Sequence, residues 1–587
     1  MGELVKANIL TMRSIFFAGP RVYLFLLWSF GLQISSAAVK PNILIIFADD
    51  IGYEALECYG GKDFHTPQLN RMAAEGLRFA RAYTSPVCTP SRVSLHTGVY
   101  ASRHGFTTVL PVHKGTSKMV NFTRLPTFAQ LLRSAGYATS VTGKWQLATL
   151  EKHPDHPKSA GYDSWALWQI WRDGAKRSRY WAPYTNVNGH ARTASEEVFG
   201  PDVLSDFVIE QMRSAKQKDQ PFLILHNEML PHDPVTETPD DRVMKRPALL
   251  TSMVEYLDKK VGHILDEIEN LGLRDNTWVF FIGDNGTEPR AFQRTAASPM
   301  GEARLTERGP VSGGKRDLSD SGTHVPFLIW GPPAVPAGTV LEGLVDITDV
   351  FSTVCAISNV NIPESVRTDG NSLLPQILQQ QPSTRRWVHG SIGNKSSVFD
   401  GAWRLNSDGT LIDARLLPKE VPADDSTSEA KAARQRLLKA LEESSSSRPT
   451  ADDGRIVIDD EQAVLVGRWN FNDKVQPFIG KGYRHDSGVN TGCRATFTAK
   501  LTPGRYDVRL AGSPHQNRAS AVAVTVQHAA GVAQLQVNQQ KKAPDNARFI
   551  PLGTYDFAET GTVTLSNEDA GGYVYLDAVV FVPAKSP

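Results

Sequence analysis

The clearest strand pattern in the chain is Asn42-Ile43-Leu44-Ile45-Ile46-Phe47-Ala48-Asp49-Asp50. An unbroken apolar run with a polar end is typical of a central strand that is buried on both faces of an α/β sheet. Apolar residues then recur at helical spacing from Pro67 to Leu77, which predicts a helix. This order of elements predicts a layered α/β domain.

The alternation of helix and short strand continues along the chain. We predict helices over 125–134, 203–215 and 253–271, followed by strands over 138–142, 222–225 and 278–282. Pro126 is expected in the first turn of its helix, where proline is tolerated. Because ligands of such sheets gather where strands end, the polar residues after each strand are the first candidates for a site.

The pattern changes in the C-terminal part of the chain. Short strands are predicted over 391–417, a charged helix over 428–443 and a serine-rich linker after it. From 455 onward, short alternating segments at 464–469, 506–510, 521–526 and 573–582 are separated by turn residues, which is typical of a β-sandwich. The predicted organisation is a leader over 1–38, a main α/β domain over 39–385, a subdomain over 386–443, a linker over 444–453 and a sandwich over 454–587.

The first residues have the pattern of an export signal. Basic residues precede an apolar run over 22–34, and Ser35-Ser36-Ala37-Ala38 follows it. The run is shorter than the roughly 20 apolar residues that a membrane span needs, although an uncleaved anchor is the alternative. We therefore expect a secreted or periplasmic protein without a stable membrane span.

Composition excludes some classes of partner. The chain has 587 residues, 63 basic and 62 acidic side chains, so its net charge gives no argument for nucleic acid or an acidic membrane surface. Its four cysteines are too few for a disulfide framework in an exported chain of this length. They are Cys58, Cys88, Cys355 and Cys493.

One cysteine stands in the stretch Cys88-Thr89-Pro90-Ser91-Arg92-Val93-Ser94-Leu95-His96-Thr97-Gly98. Taken alone, it is equally well a buried cysteine beside a helix start, with Thr89 and Ser91 as caps. The stretch resembles the signature of type I sulfatases of the alkaline-phosphatase superfamily, Cys-x-Pro-Ser-Arg followed by a Thr-Gly pair. The resemblance implies that a maturation enzyme oxidises Cys88 to formylglycine and that Arg92 lies against it. A hydrated aldehyde offers one hydroxyl to attack sulfur and a second to expel sulfate afterwards.

Two polar pairs follow predicted strands, Asp49-Asp50 and Asp284-Asn285. Adjacent carboxylates are costly unless a cation or hydrogen bonds offset their repulsion, although Asp-Asn-Gly alone is more often a tight turn. Carboxylate and amide oxygens suit Ca²⁺ or Mg²⁺ rather than zinc or copper. The resemblance implies one Ca²⁺ per chain, held by these four residues and residue 88, and gives Asp284 the proton of the attacking hydroxyl.

Three further segments match sulfatase positions that surround the sulfate. Lys144 matches a sulfate-contacting lysine, and Lys315 matches the lysine between sulfate and leaving group. His232 matches the histidine that faces the leaving-group oxygen, where a near-neutral pKa suits proton donation. Two positions depart from the family. Gln146 stands where a histidine usually assists sulfate release, and His324 replaces an arginine before Val-Pro.

A tryptophan-rich and basic stretch at 165–181 bears on the substrate. Aromatic faces stack on sugar rings and basic groups attract anionic polymers, so Trp168 and Arg172, together with Gln146, are candidate substrate-binding residues. The alternative is a helix with its tryptophan stripe in the core, because 165, 168 and 171 have helical spacing.

The C-terminal region resembles the golvesin C-terminal-like domain. The resemblance rests on Val466-Gly467-Arg468-Trp469, Pro503-Gly504-Arg505-Tyr506, Leu552-Gly553-Thr554-Tyr555 and the run from Gly571 to Val579. Polysaccharide binding and a structural appendage are both open for it. Together the resemblances imply an alkaline-phosphatase-like mixed sheet flanked by helices, a small C-terminal α+β subdomain and an appended all-β sandwich.

Three functions follow from these patterns. The first is an exported sulfatase that acts on sulfated carbohydrate or another sulfate ester. The second is a phosphodiester or phosphonate ester hydrolase of the same superfamily. The third is a non-catalytic protein that binds sulfated glycan, for which the non-titrating Gln146 is a first indication.

Overall fold

The structure of the chain is a computed structural model. It describes residues 40–111, 119–289, 303–445, 456–473, 478–479, 482–488, 492–541 and 549–584. The predicted leader over 1–38 and most of the predicted linker lie outside these residues. Within the described ranges, no helix is long and apolar enough to cross a membrane.

The main domain is built on one mixed sheet with two small hairpins beside it. Its strands are β1 (Asn42–Ala48), β2 (Leu77–Tyr83), β3 (Ala138–Lys144), β4 (Ser164–Trp168), β5 (Trp171–Arg172), β6 (Ala175–Lys176), β7 (Tyr184–Val187), β8 (His190–Thr193), β9 (Phe222–Asn227), β10 (Thr277–Gly283), β11 (Ala303–Thr306), β12 (Gly309–Ser312), β13 (His324–Val325), β14 (Phe327–Trp330) and β15 (Thr339–Asp346). The sheet runs β13-β2-β14-β10-β1-β9-β3-β4-β7-β8, with β15 beside β2. β1 is parallel to β10 and β9, and β9 is parallel to β3. Beyond β10, strand β14 is antiparallel to β10 and to β2, β13 is antiparallel to β2, and β15 is parallel to β2.

Helices cover both faces of this sheet. They are α1 (Pro67–Glu75), α2 (Cys88–Thr97), α3 (Ala101–His104), α4 (Phe128–Ser134), α5 (His156–Ser159), α6 (Gly200–Gln217), α7 (Pro239–Met244), α8 (Leu250–Asn270), α9 (Asp320–Thr323), α10 (Asp349–Ile357) and α11 (Leu374–Gln379). Side chains alternate along β1, so Ile43, Ile45 and Phe47 pack with α2, α4 and α10. Leu44 and Ile46 pack with α1, α6 and α8 on the other face.

A small α+β subdomain follows. An antiparallel sheet of β16 (Val388–Ile392), β17 (Lys395–Phe399), β18 (Trp403–Asn406), β19 (Leu411–Leu416) and β20 (Lys419–Pro422) is covered by α12 (Ser428–Ser445). The helix buries Ala433 and Leu437 against Trp403 and Leu405.

The remaining described residues form two antiparallel sheets and a short third one. The strands are β21 (Ile456–Asp459), β22 (Val464–Val466), β23 (Asn470–Asn472), β24 (Tyr483–His485), β25 (Arg494–Lys500), β26 (Gly504–Ala511), β27 (Val522–His528), β28 (Gly531–Val537), β29 (Phe549–Phe557), β30 (Thr560–Ser566), β31 (Tyr575–Leu576) and β32 (Ala578–Pro583). Sheets β21-β32-β26-β29 and β22-β25-β30-β27-β28 share one apolar core, to which Phe497 and Phe581 belong. The predicted fold class, from the mixed sheet to the β-sandwich, is confirmed.

Three local predictions need correction. The helix expected from 125 begins at Phe128, because Thr127 and Gln130 form a capping box and leave Pro126 outside. The tryptophan stripe is not helical: residues 165 and 168 lie on β4, which pairs with β3 and β7. Helix α12 extends to Ser445, past the predicted linker start, and the buried Ser444 accepts a hydrogen bond from Ser102.

Candidate active site

The ends of four parallel strands define the candidate site. Asp49 and Asp50 follow β1, Lys144 ends β3, Asn227 ends β9, and Asp284 follows β10. Carboxyl ends of neighbouring parallel strands meet at one edge of a sheet, so residues far apart in sequence come together there. All five residues are at most 1% exposed. The site is therefore a cluster of buried polar side chains at the edge of an apolar sheet.

The two acidic segments interlock. The amide of Asp50, a residue with a left-handed backbone (φ 64°), donates to Asp284 Oδ1 at 3.0 Å. Asn285 Nδ2 donates to Asp50 Oδ1 at 2.9 Å. Among the residues that the structure describes, the buried Oδ1 of Asn285 accepts no hydrogen bond. Three buried carboxylates beside an unsatisfied amide oxygen form a donor set that suits a hard divalent cation.

Helix α2 brings Cys88 and Arg92 to the same edge. Cys88 is the first residue of the helix and is 2% exposed. Arg92 lies one turn later on the same face. Its guanidinium donates to Asp284 Oδ2 at 2.7 Å and to Asn227 Oδ1 at 2.8 Å, and it lies 5.3 Å from the ring centre of Phe47.

The hydroxyls beside Cys88 do not cap this helix. The cap residue is Val87, and no side chain caps the helix start. Ser91 Oγ donates instead to carbonyl oxygens, to Ser85 at 3.0 Å, and Thr89 Oγ1 accepts from the Leu110 amide at 3.0 Å. The alternative in which Thr89 and Ser91 act as caps is wrong. Ser91 Oγ donates to the carbonyls of Ser85 and Val87, and Thr89 Oγ1 accepts from Leu110, so neither caps an amide of the helix start.

Both predicted lysines pair with the acidic segments. Lys144 Nζ lies 2.8 Å from each carboxylate oxygen of Asp49. Lys315 Nζ lies 2.7 Å from Asp50 Oδ2 and 3.2 Å from Nε2 of His232. The His232 Nδ1 is 2.7 Å from the carbonyl of Asp233, which requires a proton on Nδ1 and leaves Nε2 as the acceptor.

Burial and charge shift the carboxylates in opposite directions. Burial, and then the charge of Asp49, raises the pKa of Asp284 to about 7. Burial by itself would also raise the pKa of Asp49, but electrostatic interaction with His232, and then with Lys144 and Arg92, holds it well below its usual range. The pKa of Asp50 is lowered in the same way. Proton affinity at this edge is therefore concentrated on Asp284.

His232 and Lys315 also have shifted protonation. Burial, and then the charge of Arg179, holds the pKa of His232 well below its ordinary value. The ring is therefore neutral near pH 7, and the positive charges within 3.5 Å of Asp49 there are those of Lys144, Arg179 and Arg92. Burial lowers the pKa of Lys315, but the charge of Asp50 outweighs it and leaves this pKa raised.

A cavity of about 670 Å³ opens over these groups. Its lining includes Cys88, Gln146, Trp168, His232 and Lys315. Gln146 is half-buried with a left-handed backbone (φ 52°), and no hydrogen bond of its side chain is found within the described ranges. The structure thus places the predicted nucleophile Cys88, the predicted histidine His232 and Gln146, which differs from the family residue, around one cavity.

Of the predicted substrate-binding residues, only some lie at the cavity. Trp168 borders the cavity but is 2% exposed, and the guanidinium of Arg179 lies 4.1 Å from its ring centre. Arg172 lies outside the cavity lining, on the exposed β5–β6 hairpin, where it contacts Asp173 and Thr193. Trp171, half-buried in the lining, is the more accessible aromatic face.

Two residues of the cluster were not predicted from the sequence. Arg179 is 6% exposed, and its Nη1 lies 3.4 Å from Asp49 Oδ2. It belongs to the basic stretch noted above, but nothing in its spacing distinguishes it from Arg172. Asn227, which accepts from Arg92, has a clearer signal because it is the polar end of an apolar strand.

His324, which stands at the usual arginine position, serves a buried aromatic stack. Its ring lies 4.0 Å from that of Tyr53 and 4.8 Å from that of Tyr83, centre to centre. Its two nitrogens lie 3.3 Å from Asp320 and 3.0 Å from the carbonyl of Ala80. This departure therefore falls among residues that do not line the cavity of Cys88.

Comparison with known proteins agrees with both parts of the fold. The sulfatase family model matches residues 41–360, and the Golvesin C-terminal domain model matches 456–583. Human N-acetylgalactosamine-6-sulfatase is 31% identical over 373 residues, covering 60% of this chain and 68% of the relative. The N-acetylgalactosamine-6-O-sulfatase of Bacteroides thetaiotaomicron is 27% identical over 432 residues, covering 62% and 82%. The crystal structure of Ps i-CgsB covers 70% of this chain and 94% of its own with a TM-score of 0.60 and 23% identity, a likeness of fold.

Proposed function

The chain belongs to the sulfatase family of sulfuric ester hydrolases, and from this premise we propose that it is an exported enzyme that cleaves carbohydrate sulfates with a formylglycine made from Cys88 and one Ca²⁺. The observation that carries the proposal is the buried cluster that Arg179, His232 and Lys315 of the cavity lining contact. There, three carboxylates and the amide oxygen of Asn285 stand beside Cys88, and lysine and arginine side chains surround them.

The proposed Ca²⁺ ligands are Asp49, Asp50, Asp284, Asn285 and residue 88. Two observations support this set: Oδ1 of Asn285 accepts no hydrogen bond from the described residues, and burial and the charge of Asp49 raise the pKa of Asp284 despite its ion pair with Arg92. When bound, the cation neutralises sulfate oxygens and polarises the nucleophile. His232 Nε2 lies 3.6 Å from Asp50, but it already accepts from Lys315, which supports a role for the histidine on the leaving-group side.

The chain's own residues prepare the attack at position 88. A hydrated formylglycine there supplies two hydroxyls on one carbon. Arg92 restrains this position from one turn along α2, and its contacts to Asp284 and Asn227 hold the guanidinium in one orientation. Lys144 and Lys315 present buried charges to the sulfate oxygens, where low exposure strengthens each interaction. In this proposal Asp284, which accepts a hydrogen bond from Arg92 on α2, also accepts the proton of the attacking hydroxyl.

The leaving alcohol receives a proton on the side of His232 and Lys315. The imidazole of His232 is neutral, and its Nε2 accepts a hydrogen bond from Lys315 Nζ. A proton is therefore shared between these two nitrogens. Entry of an anionic sulfate group favours the protonated ring, because a nearby negative charge raises the pKa of a histidine. The pair then donates to the departing oxygen.

The proposed substrate is a sulfated sugar. The names of the relatives make an N-acetylgalactosamine 6-sulfate residue the first compound to test. A cavity of about 670 Å³ lies in the range of small-molecule sites, and Trp171 and Lys176 at its rim offer an aromatic face and a cation to a sugar chain. Export through the predicted leader and maturation by a formylglycine-generating enzyme belong to the same proposal.

The first experiment compares two substrates that differ in the group transferred. Purified protein is assayed with 4-nitrophenyl sulfate and with bis(4-nitrophenyl) phosphate, with Ca²⁺ present and after chelation. We expect the sulfate ester to be preferred and its turnover to fall when the cation is removed. Dominant diesterase activity would overturn the proposal in favour of a phosphodiester hydrolase.

The second experiment measures the mass of the peptide that contains residue 88. Conversion to formylglycine exchanges sulfur for oxygen and removes two hydrogens, a loss that mass spectrometry resolves. An unmodified thiol in a host with the maturation enzyme contradicts the proposed nucleophile. Binding of a sulfated glycan without turnover, with formylglycine present, identifies a non-catalytic protein instead.

A further inference from the structure

Arg179 is a buried cation that has no role in the proposed mechanism. It lies in the loop between β6 and β7 and is 6% exposed. One face of its guanidinium covers Trp168, with 4.1 Å between the guanidinium carbon and the ring centre. Its Nη1 reaches to 3.4 Å from Asp49 Oδ2, and the residue borders the cavity of Cys88.

The loop around Arg179 is held by its neighbours. The hydroxyl of Tyr180 donates to the carbonyls of Met229, at 3.0 Å, and of His232. The amide of Gly200 donates to the Tyr180 carbonyl at 2.6 Å, and a Cβ on Gly200 would lie 2.0 Å from the Arg179 carbonyl oxygen. These contacts tie the arginine to the loop of the predicted leaving-group histidine, so its side chain is positioned before any substrate enters.

The charges around Asp49 are not balanced. Lys144 lies at 2.8 Å, Arg179 at 3.4 Å and Arg92 at 3.5 Å from its oxygens. Arg92 has Asp284 as its nearer partner, at 2.7 Å, so Asp49 is left with two buried cations, Lys144 and Arg179. One carboxylate cannot offset both, and binding a metal would engage that carboxylate further. The surplus positive charge at this position calls for an anion from outside the chain.

The other cations of the lining are differently arranged. Arg316 forms an ion pair with Glu288, with contacts of 3.0 and 2.5 Å. Lys176 is exposed at the rim. Apart from Lys315, Arg179 is thus the buried cation among the lining residues, and its guanidinium reaches the Asp49 carboxylate.

We propose that Arg179 is a further substrate-binding residue, which contacts the sulfate group and supplies the positive charge that the neutral Gln146 does not. This inference rests on the proposed function. A planar guanidinium offers two parallel donors to two oxygens of one sulfate, and Trp168 beneath it keeps the plane in place. The amide of Gln146, in the same cavity, adds a neutral hydrogen bond at that end of the sulfate.

The test separates sulfate binding from turnover. Arg179→Met retains the apolar contact with Trp168 and removes the charge. Arg179→Lys retains the charge but lacks the two parallel donors of the guanidinium. Two quantities are measured for each: kcat/KM on 4-nitrophenyl sulfate, and the affinity of inorganic sulfate by calorimetry on protein that also carries Cys88→Ala. Arg192→Met, at an exposed position of β8, is the matched control.

We expect Arg179→Met to lower kcat/KM about 100-fold, the loss typical of removing one charge-stabilising donor, and to weaken sulfate binding at least about 10-fold. Arg179→Lys falls between this variant and the wild type. Added guanidinium ion restores part of the activity of Arg179→Met but not that of an unrelated inactive variant. Arg192→Met behaves as the wild type in both measurements.

Two results overturn the inference. Sulfate affinity within twofold of the wild type in Arg179→Met shows that the arginine does not contact sulfate. A loss of activity that is accompanied by weaker Ca²⁺ binding, with sulfate affinity unchanged, makes Arg179 a positioning residue for Asp49. Failure of the wild type to hydrolyse any sulfate ester refutes the proposed function alone, since calorimetry still measures the role of Arg179.

Discussion

The edge of the central sheet and the β-sandwich handle buried charge in different ways. In the main domain, β1, β3, β9 and β10 run in one direction, so the residues that follow them converge on one place. In the sandwich, neighbouring strands are antiparallel, so successive strand ends lie at opposite edges. Strand direction therefore decides whether polar strand ends combine into one cluster or are dispersed among turns.

The partners of the buried carboxylates show the same contrast. At the sheet edge, Asp49 and Asp50 pair with cations, and two of these, Arg179 and Lys315, line a cavity. In the sandwich, the buried Asp486 accepts from the amides of Gly488 and Val574 at 3.0 Å and from Asn567 at 2.8 Å. A carboxylate that is satisfied by backbone donors holds loops together, whereas carboxylates that are crowded against cations beside a cavity indicate chemistry.

The largest effect is expected from replacing one cysteine in each region. Cys88→Ala removes the proposed nucleophile and lowers kcat by about 10⁴-fold or more, as loss of a nucleophile does in other hydrolases. Cys493→Ala, at a buried position of the sandwich, leaves kcat within about twofold. Steady-state kinetics on an aryl sulfate checks both. Equal losses in the two variants would remove the distinction between the regions.

A pair of phenylalanines tests whether stability and activity separate. Phe47→Ala and Phe497→Ala each empty a fully buried position and lower the free energy of unfolding by about 3–5 kcal/mol, as measured by denaturant unfolding. Only Phe47 lies under the Arg92 guanidinium, so only Phe47→Ala is expected to lower kcat, by about 10-fold or more. Unchanged turnover in the folded Phe47 variant contradicts the proposed support of Arg92.

The leaving-group role of His232 gives a substrate-dependent prediction. His232→Gln lowers kcat about 100-fold or more on a sugar sulfate, whose alcohol needs a proton to leave. The loss is smaller on 4-nitrophenyl sulfate, because nitrophenolate leaves without a proton. His528→Gln in the sandwich serves as the control. An equal loss on both substrates assigns His232 to sulfate or metal binding instead.

The smallest effect concerns a buried carboxyl of the sandwich. Burial, and then Asp459, raises the pKa of Asp460 to about 7 from 3.8. A carboxyl whose pKa is raised by folding favours the folded state below its unfolded pKa, and this contribution is lost as the pH rises through about 7. Asp460→Asn is therefore expected to approach the wild type at pH 4, close to the unfolded pKa, and to unfold a few degrees higher at pH 8. A lower unfolding temperature of the variant at pH 8 contradicts this assignment, and activity is unchanged at both.

Much of the fold was predictable because it is encoded in contiguous residues. The apolar run from Asn42 to Ala48 predicted its strand, and β1 spans the same residues. The change to short alternating segments after 455 predicted the sandwich. The prediction failed where local spacing was ambiguous: the tryptophans at 165 and 168 have helical spacing, yet pairing of β4 with two strands makes them part of the sheet.

The sequence by itself determined the family, the oxygen-donor pairs at the strand ends and the cysteine between them, because these are short patterns of neighbouring residues. Only the tertiary structure decided which basic side chain of the 165–181 stretch enters the cluster. Arg172 and Arg179 look alike in sequence, but burial of Arg179 depends on Asp49, 130 residues away, and on Trp168 across the loop. A contact over that sequence separation depends on the tertiary fold, so it cannot be predicted from local residue patterns.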